Sequence, residues 1–146
     1  MVDLKRSAQA VWKGDLKTGN GTSSTKSDAF KDLPYSFATR FENQPGTNPE
    51  ELIAAAHASC FSMALANILA SDGHTPESIH TVAQVTLRKG DAGFKVVAVH
   101  LQTEGNVPGI DAAAFQEAAQ KAKEKCPISV LLKPGLEELS VEATLL

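Results

Sequence analysis

The sequence predicts an α+β domain, and three observations carry that prediction. Strand-like and helix-like stretches alternate in the order β, α, β, α, β. A long uncharged run from Leu52 to Ala70 is continuous enough to be one buried helix. The chain closes on Leu139, Val141, Ala143 and Leu145 alternating with Glu138, Ser140, Glu142 and Thr144, the period of a strand with one face on a core. At 146 residues, 42% hydrophobic and 21% charged, the chain is expected to form a single domain, 1–146.

Taken in order, the first third reads as β-structure. A strand is expected from Ala8 to Leu16 around Trp12, then a turn at Gly19-Asn20-Gly21 leading into a flexible Ser/Thr tract at 22–27, then a strand from Tyr35 to Phe41. Gln44-Pro45-Gly46-Thr47 is a turn. Asn48 is placed to cap a helix that has Pro49 at its first position and Glu51 at its third, and Ser71-Asp72-Gly73 ends it. A helix from Pro49 to Ser71 is apolar on nearly every side, so a partner subunit is expected to cover part of it.

Strands at Thr81 to Lys89 and Phe94 to Thr103 flank Gly90-Asp91-Ala92-Gly93 and predict a β-hairpin. Asp111 caps a helix running to Lys125, in which Phe115, Ala119, Ala122 and Cys126 fall on one face, directed at the core. Ile128 to Lys133 reads as a short helix stopped by Pro134-Gly135.

Composition narrows the function. With 14 basic and 17 acidic residues in no long run, nucleic acid and membrane surfaces are not expected partners. Leu52 to Ala70 passes the length test for a membrane span, but His57, Ser59, Ser62 and Asn67 and the capped ends favour burial inside protein. Met1 to Ser7 lacks the apolar core of a secretory signal, which predicts a reducing cytoplasm and only a transient disulfide. His74, His80 and His100 lack metal-ligand spacing, so no metal site is expected.

The chemistry centres on two cysteines. Cys60 lies midway along the uncharged helix, and Cys126 closes the second helix immediately before Pro127. A peroxide-reducing cysteine needs a thiolate, a cation beside it and a second thiol to trap the sulfenic acid. Arg40, expected on the strand face opposite Tyr35 and Phe37, is a candidate cation that would lower the Cys60 pKa, and Glu50 is a carboxylate left free by Glu51 at the cap. Ten residues of helix, about 15 Å, separate Glu50 from Cys60, so Arg40 or another subunit must bridge them. Cys126 stands at the negative end of its helix and suits a resolving role. The residues alone leave open whether the two thiols are a redox pair or inert core residues. His57, one turn before Cys60, is expected to be structural, and Phe61 and Met63 to be core or the lining of an apolar pocket.

The run Thr47-Asn-Pro-Glu-Glu-Leu-Ile-Ala-Ala-Ala-His-Ala-Ser-Cys60-Phe-Ser-Met-Ala-Leu65, with Cys126-Pro-Ile-Ser downstream, resembles the OsmC/Ohr family of thiol peroxidases. Ala10-Val-Trp-Lys-Gly-Asp and an arginine twenty residues before Cys60 make it similar to the OsmC (osmotically inducible protein C) branch. The resemblance implies an OsmC-like fold of antiparallel sheets with two long central helices, an intertwined homodimer with active sites at the subunit interface, and reduction of organic hydroperoxides. It implies Cys60 as peroxidatic cysteine, Cys126 as resolving cysteine, Arg40 as the group orienting thiolate and peroxide, and Glu50 as the carboxylate paired with it. It implies regeneration by an external dithiol such as a lipoylated protein, and no bound cofactor. The alternative is a non-catalytic carrier or sensor of a hydrophobic ligand.

Overall fold

Trp12 anchors the first sheet. In the computed structural model, which describes residues 1–146, β1 (Ala8–Lys13), β2 (Asn20–Thr25) and β3 (Leu33–Ser36) form an antiparallel sheet in that order. Lys13 pairs with Asn20, so the turn lies before Asn20-Gly21 rather than on it. Asp15 closes that turn by accepting from the Thr18 N–H at 2.8 Å and the Thr18 hydroxyl at 2.9 Å, and Gly14 at φ 87° turns the chain. Gly21 serves a different need. It sits in register between Trp12 and Tyr35, whose rings are 5.3 Å apart, and a Cβ there would lie 2.7 Å from atoms of both rings. The Ser/Thr tract is therefore largely the central strand of this sheet, paired on both sides.

The expected strand from Tyr35 to Phe41 ends at Ser36. Ser36 and Thr39 form a reciprocal cap, Thr39 N–H to Ser36 Oγ at 3.3 Å and Ser36 N–H to Thr39 Oγ1 at 2.9 Å, and this starts the five-residue helix α1 (Phe37–Phe41). Arg40 is thus on a helix and not on a strand face. It stands in the last turn, where a cation suits the helix dipole.

α2 (Pro49–Ser71) begins as expected, with the Glu51 N–H donating to Asn48 Oδ1 at 2.8 Å and proline at the first helical position. Gly73, at φ 88°, ends it. By length and composition α2 would suffice to cross a membrane, with a mean hydropathy of 1.7 over its most apolar window. One stripe of it, His57, Phe61, Leu65 and Leu69, is buried in protein.

The chain divides into two compact units, Met1–Leu52 and Ile53–Leu146. In the second, β4 (Ser78–Gly90) and β5 (Gly93–Asn106) form the expected hairpin, both longer than predicted, around a two-residue Asp91-Ala92 turn. α3 (Ala112–Lys125), α4 (Pro127–Leu132) and a 3-10 turn at Lys133–Gly135 carry the chain to β6 (Glu138–Leu145). That helical crossover returns β6 parallel to β5, so the second sheet is mixed and not antiparallel throughout.

The second unit's core is set by one face of each element. Phe61, Leu65 and Leu69 of α2 meet Val99 and Leu101 of β5 and Phe115, Ala119 and Ala122 of α3. Each fully buried Phe or Leu here contributes about 1.5–3 kcal/mol. α3 approaches β5 so closely that a Cβ on Gly105 would lie 2.5 Å from the Phe115 ring. The predicted inward face of α3, Phe115, Ala119, Ala122 and Cys126, is wholly buried.

Candidate active site

The four residues singled out by the sequence meet as two pairs, one in each unit. In the first unit, Arg40 Nη2 donates to Glu50 Oε1 at 2.8 Å, and Arg40 Nε lies 3.3 Å from each carboxylate oxygen. α1 presents the guanidinium and the first turn of α2 presents the carboxylate. Side-chain exposures of 35% and 12% leave the pair partly desolvated, so it is stronger and better ordered than an open surface pair. Nη1 makes no bond to Glu50.

Beside this pair is a cavity of about 280 Å³ lined by Trp12, Leu16, Tyr35, Phe37, Arg40 and Phe41. Its walls are mainly aromatic, with the arginine as the charged group, and Arg40 lies 5.0 Å from the centre of the Phe41 ring. The sequence reading sets Tyr35 and Phe37 on the same strand as Arg40 but on the opposite face, and the α1 turn brings all three to one cavity. Trp12, Leu16 and Phe41 were not legible there, because only the β1–β2–β3 pairing and the α1 turn bring them together.

In the second unit, the Cys60 thiol on α2 lies close enough to the Cys126 thiol and to the Ile128 backbone N–H for both to bear on its titration. Cys60 is half-buried and Cys126 is completely buried; both are free thiols. Burial pushes the Cys60 thiol above its ordinary pKa, opposed by the Ile128 N–H and reinforced by the Cys126 thiol. This differs from the expected lowering. Cys126 occupies the single non-helical position, φ −57° and ψ 122°, between the end of α3 and the start of α4. The negative end of one helix and the positive end of the next both bear on it, so the argument from α3 alone is incomplete.

Around the thiols, Phe61 is core at 0% exposure, whereas Met63 is 74% exposed. His57 is fully buried and its Nε2 lies 2.7 Å from Ser129 Oγ, itself buried. Burial lowers the His57 pKa, keeping the ring neutral. This contact joins the turn of α2 before Cys60 to the turn of α4 after Cys126. Only the equal three-residue offsets from the two cysteines hinted at it in the sequence.

The family model described as OsmC-like protein matches residues 41–137. The chain is 54% identical over 132 residues to Peroxiredoxin OsmC of Escherichia coli (strain K12), covering 90% of this chain and 92% of that one. Among solved structures, the organic hydroperoxide resistance protein OhrB of Bacillus subtilis superposes with a TM-score of 0.73 at 26% identity, over 94% of this chain and 98% of that one. An organic hydroperoxide resistance protein from Elizabethkingia anophelis shares the fold, with a TM-score of 0.76 at 24% identity over 99% and 100% of the two chains.

Proposed function

The chain belongs to the OsmC-like protein family, and from that premise we propose that it is a thiol peroxidase that reduces organic hydroperoxides to alcohols through Cys60 and Cys126. The observation that carries this reading is the pairing of a half-buried thiol with a fully buried one inside the same unit. A solvent-reachable thiol suits attack on peroxide, and a buried neighbour suits trapping of the product.

The Cys60 thiolate attacks the terminal oxygen of the hydroperoxide. A sulfur–oxygen bond forms as the oxygen–oxygen bond breaks, and the alkoxide leaves and takes a proton to become the alcohol. Cys126 then attacks the Cys60 sulfur. A disulfide forms, the sulfur–oxygen bond breaks, and hydroxide leaves with the Cys126 proton as water. Thiol–disulfide exchange with an external dithiol, such as a lipoylated protein, restores both thiols, with attack on the Cys60 sulfur because Cys126 is buried.

Burial alone disfavours the Cys60 thiolate, so the reaction needs a cation. Arg40 supplies it, with Glu50 fixing the guanidinium by Nε and Nη2 and leaving Nη1 for the thiolate or peroxide. The site completes between two copies of the chain. Ala55, Ala56, Ser59 and Met63 give α2 an exposed, uncharged side beyond its buried stripe, which supports a homodimer. The working compartment is a reducing cytoplasm, where the disulfide is transient.

Steady-state turnover of cumene hydroperoxide with dihydrolipoamide tests the function. Turnover is expected for the parent and none for Cys60→Ser, while Cys126→Ser forms one sulfenic acid per chain and over-oxidises. Normal turnover by Cys60→Ser overturns the mechanism. Sizing at low micromolar concentration tests the dimer.

A further inference from the structure

We infer that the buried His57–Ser129 hydrogen bond is a positioning device for the resolving cysteine, setting the rate of disulfide condensation rather than of peroxide attack. The inference rests on the peroxidase reading above. α4 is held to the rest of its unit at few points. This six-residue helix has Ser129 as its one buried residue, while Val130 and Leu131 are 56% and 71% exposed. Its N-cap residue, Cys126, makes no capping hydrogen bond with its side chain. Such a helix is too short to be stable by itself. The bond from Ser129 Oγ to His57 Nε2, at 2.7 Å, fastens it to α2.

The fastening lies at the place that matters for condensation. His57 is one helical turn from Cys60, and Ser129 is one turn from Cys126, so the bond ties together the turns that neighbour the two cysteines. It also steadies the neighbouring Ile128, whose backbone N–H favours the Cys60 thiolate. Disulfide formation needs the two Cβ atoms about 3.5–4.5 Å apart, and misplacement by about 1 Å can cost about a hundredfold in an intramolecular step.

The chemistry of the ring supports a dedicated role. His57 is fully buried, and its Nδ1 has no hydrogen-bond partner. A buried histidine with one ring nitrogen unsatisfied is a poor choice for core packing alone, where a leucine would avoid the desolvation cost. The ring remains neutral, so it contributes a directional bond and no charge beside the thiols. An unpartnered N–H is the costlier orphan, which favours the tautomer in which Nε2–H donates to Ser129 Oγ.

The test separates the two chemical steps in single turnover. Sulfenic acid is trapped with a dimedone probe and disulfide is followed by quenched alkylation and mass, in the parent and in Ser129→Ala, His57→Leu, His57→Gln and the His57→Leu/Ser129→Ala double variant. Condensation is expected to slow about tenfold or more in Ser129→Ala and His57→Leu relative to any change in sulfenic-acid formation, with over-oxidation at lower peroxide. His57→Gln retains an N–H donor and is expected to restore much of the rate. In the double variant neither partner is left unsatisfied, so thermal stability is expected to recover while condensation stays slow.

Unchanged condensation in Ser129→Ala, or condensation that recovers with stability in the double variant, overturns the inference and leaves the peroxidase reading intact. A parent protein that forms neither sulfenic acid nor disulfide overturns both.

Discussion

Arg40 and Glu50 are joined through two guanidinium nitrogens, Nη2 at 2.8 Å and Nε at 3.3 Å, across ten residues of chain that include a turn and two helix ends. Two contacts fix the plane of the guanidinium where one would leave it free to rotate. Glu50 therefore acts through Arg40. Arg40→Met and Glu50→Gln are each expected to lower kcat/KM for an organic hydroperoxide by about tenfold or more, and the double variant to lose less than the two single losses combined. Strict additivity would show that the two side chains do not share one task.

The pH dependence of Cys60 follows from opposing influences. Burial raises its pKa, so less thiolate is present near neutral pH than for a free thiol, and alkylation should accelerate as pH rises. The proposed guanidinium contact favours the thiolate and brings the midpoint down. In Arg40→Met the midpoint of the alkylation profile is accordingly expected to move up, leaving burial unopposed by that cation. A profile identical to the parent's would remove Arg40 from the thiol's surroundings.

The buried His57 gives a signature in stability. Its folded-state pKa lies below the unfolded value of about 6.5, so the unfolded chain binds the proton more readily. Stability from this group is complete above about pH 6.5 and is lost as pH falls toward the folded pKa, with a slope of at most about 1.4 kcal/mol per pH unit. Denaturant unfolding of His57→Gln is expected to lack that acid-side loss. An equal loss in parent and variant would mean that His57 is accessible to protons in the folded state.

Local signals carried much of this far. Asn48, Pro49 and Gly73 bound α2, the Gly90 to Gly93 segment marks the hairpin, and the spacing from Phe115 to Cys126 identifies a buried face, because each depends on neighbours within a few residues. The alternation of Tyr35 and Phe37 around Ser36 favours a strand through Arg40. The Ser36–Thr39 cap, made with threonine in place of the usual glutamate or glutamine, starts a helix there instead. The parallel pairing of β6 was hidden because alternation gives the buried face of a strand and says nothing of its direction. The His57–Ser129 bond spans 72 residues and only the folded chain brings its ends together.

The aromatic cavity beside Arg40 predicts substrate preference. Trp12, Leu16, Tyr35, Phe37 and Phe41 leave about 280 Å³, enough for a small organic group but of no use to hydrogen peroxide, which has no apolar part to desolvate. Each methylene buried contributes about 0.8 kcal/mol, so two or three favour an organic hydroperoxide by about one order of magnitude or more in kcat/KM. Phe37→Ala and Leu16→Ala open the wall without touching the thiols or the Arg40–Glu50 pair. They are expected to lower kcat/KM for cumene hydroperoxide several-fold while leaving that for hydrogen peroxide nearly constant, measured under one saturating dithiol. Equal losses for both peroxides would show that the cavity supports the α1 helix and does not receive the substrate's organic group.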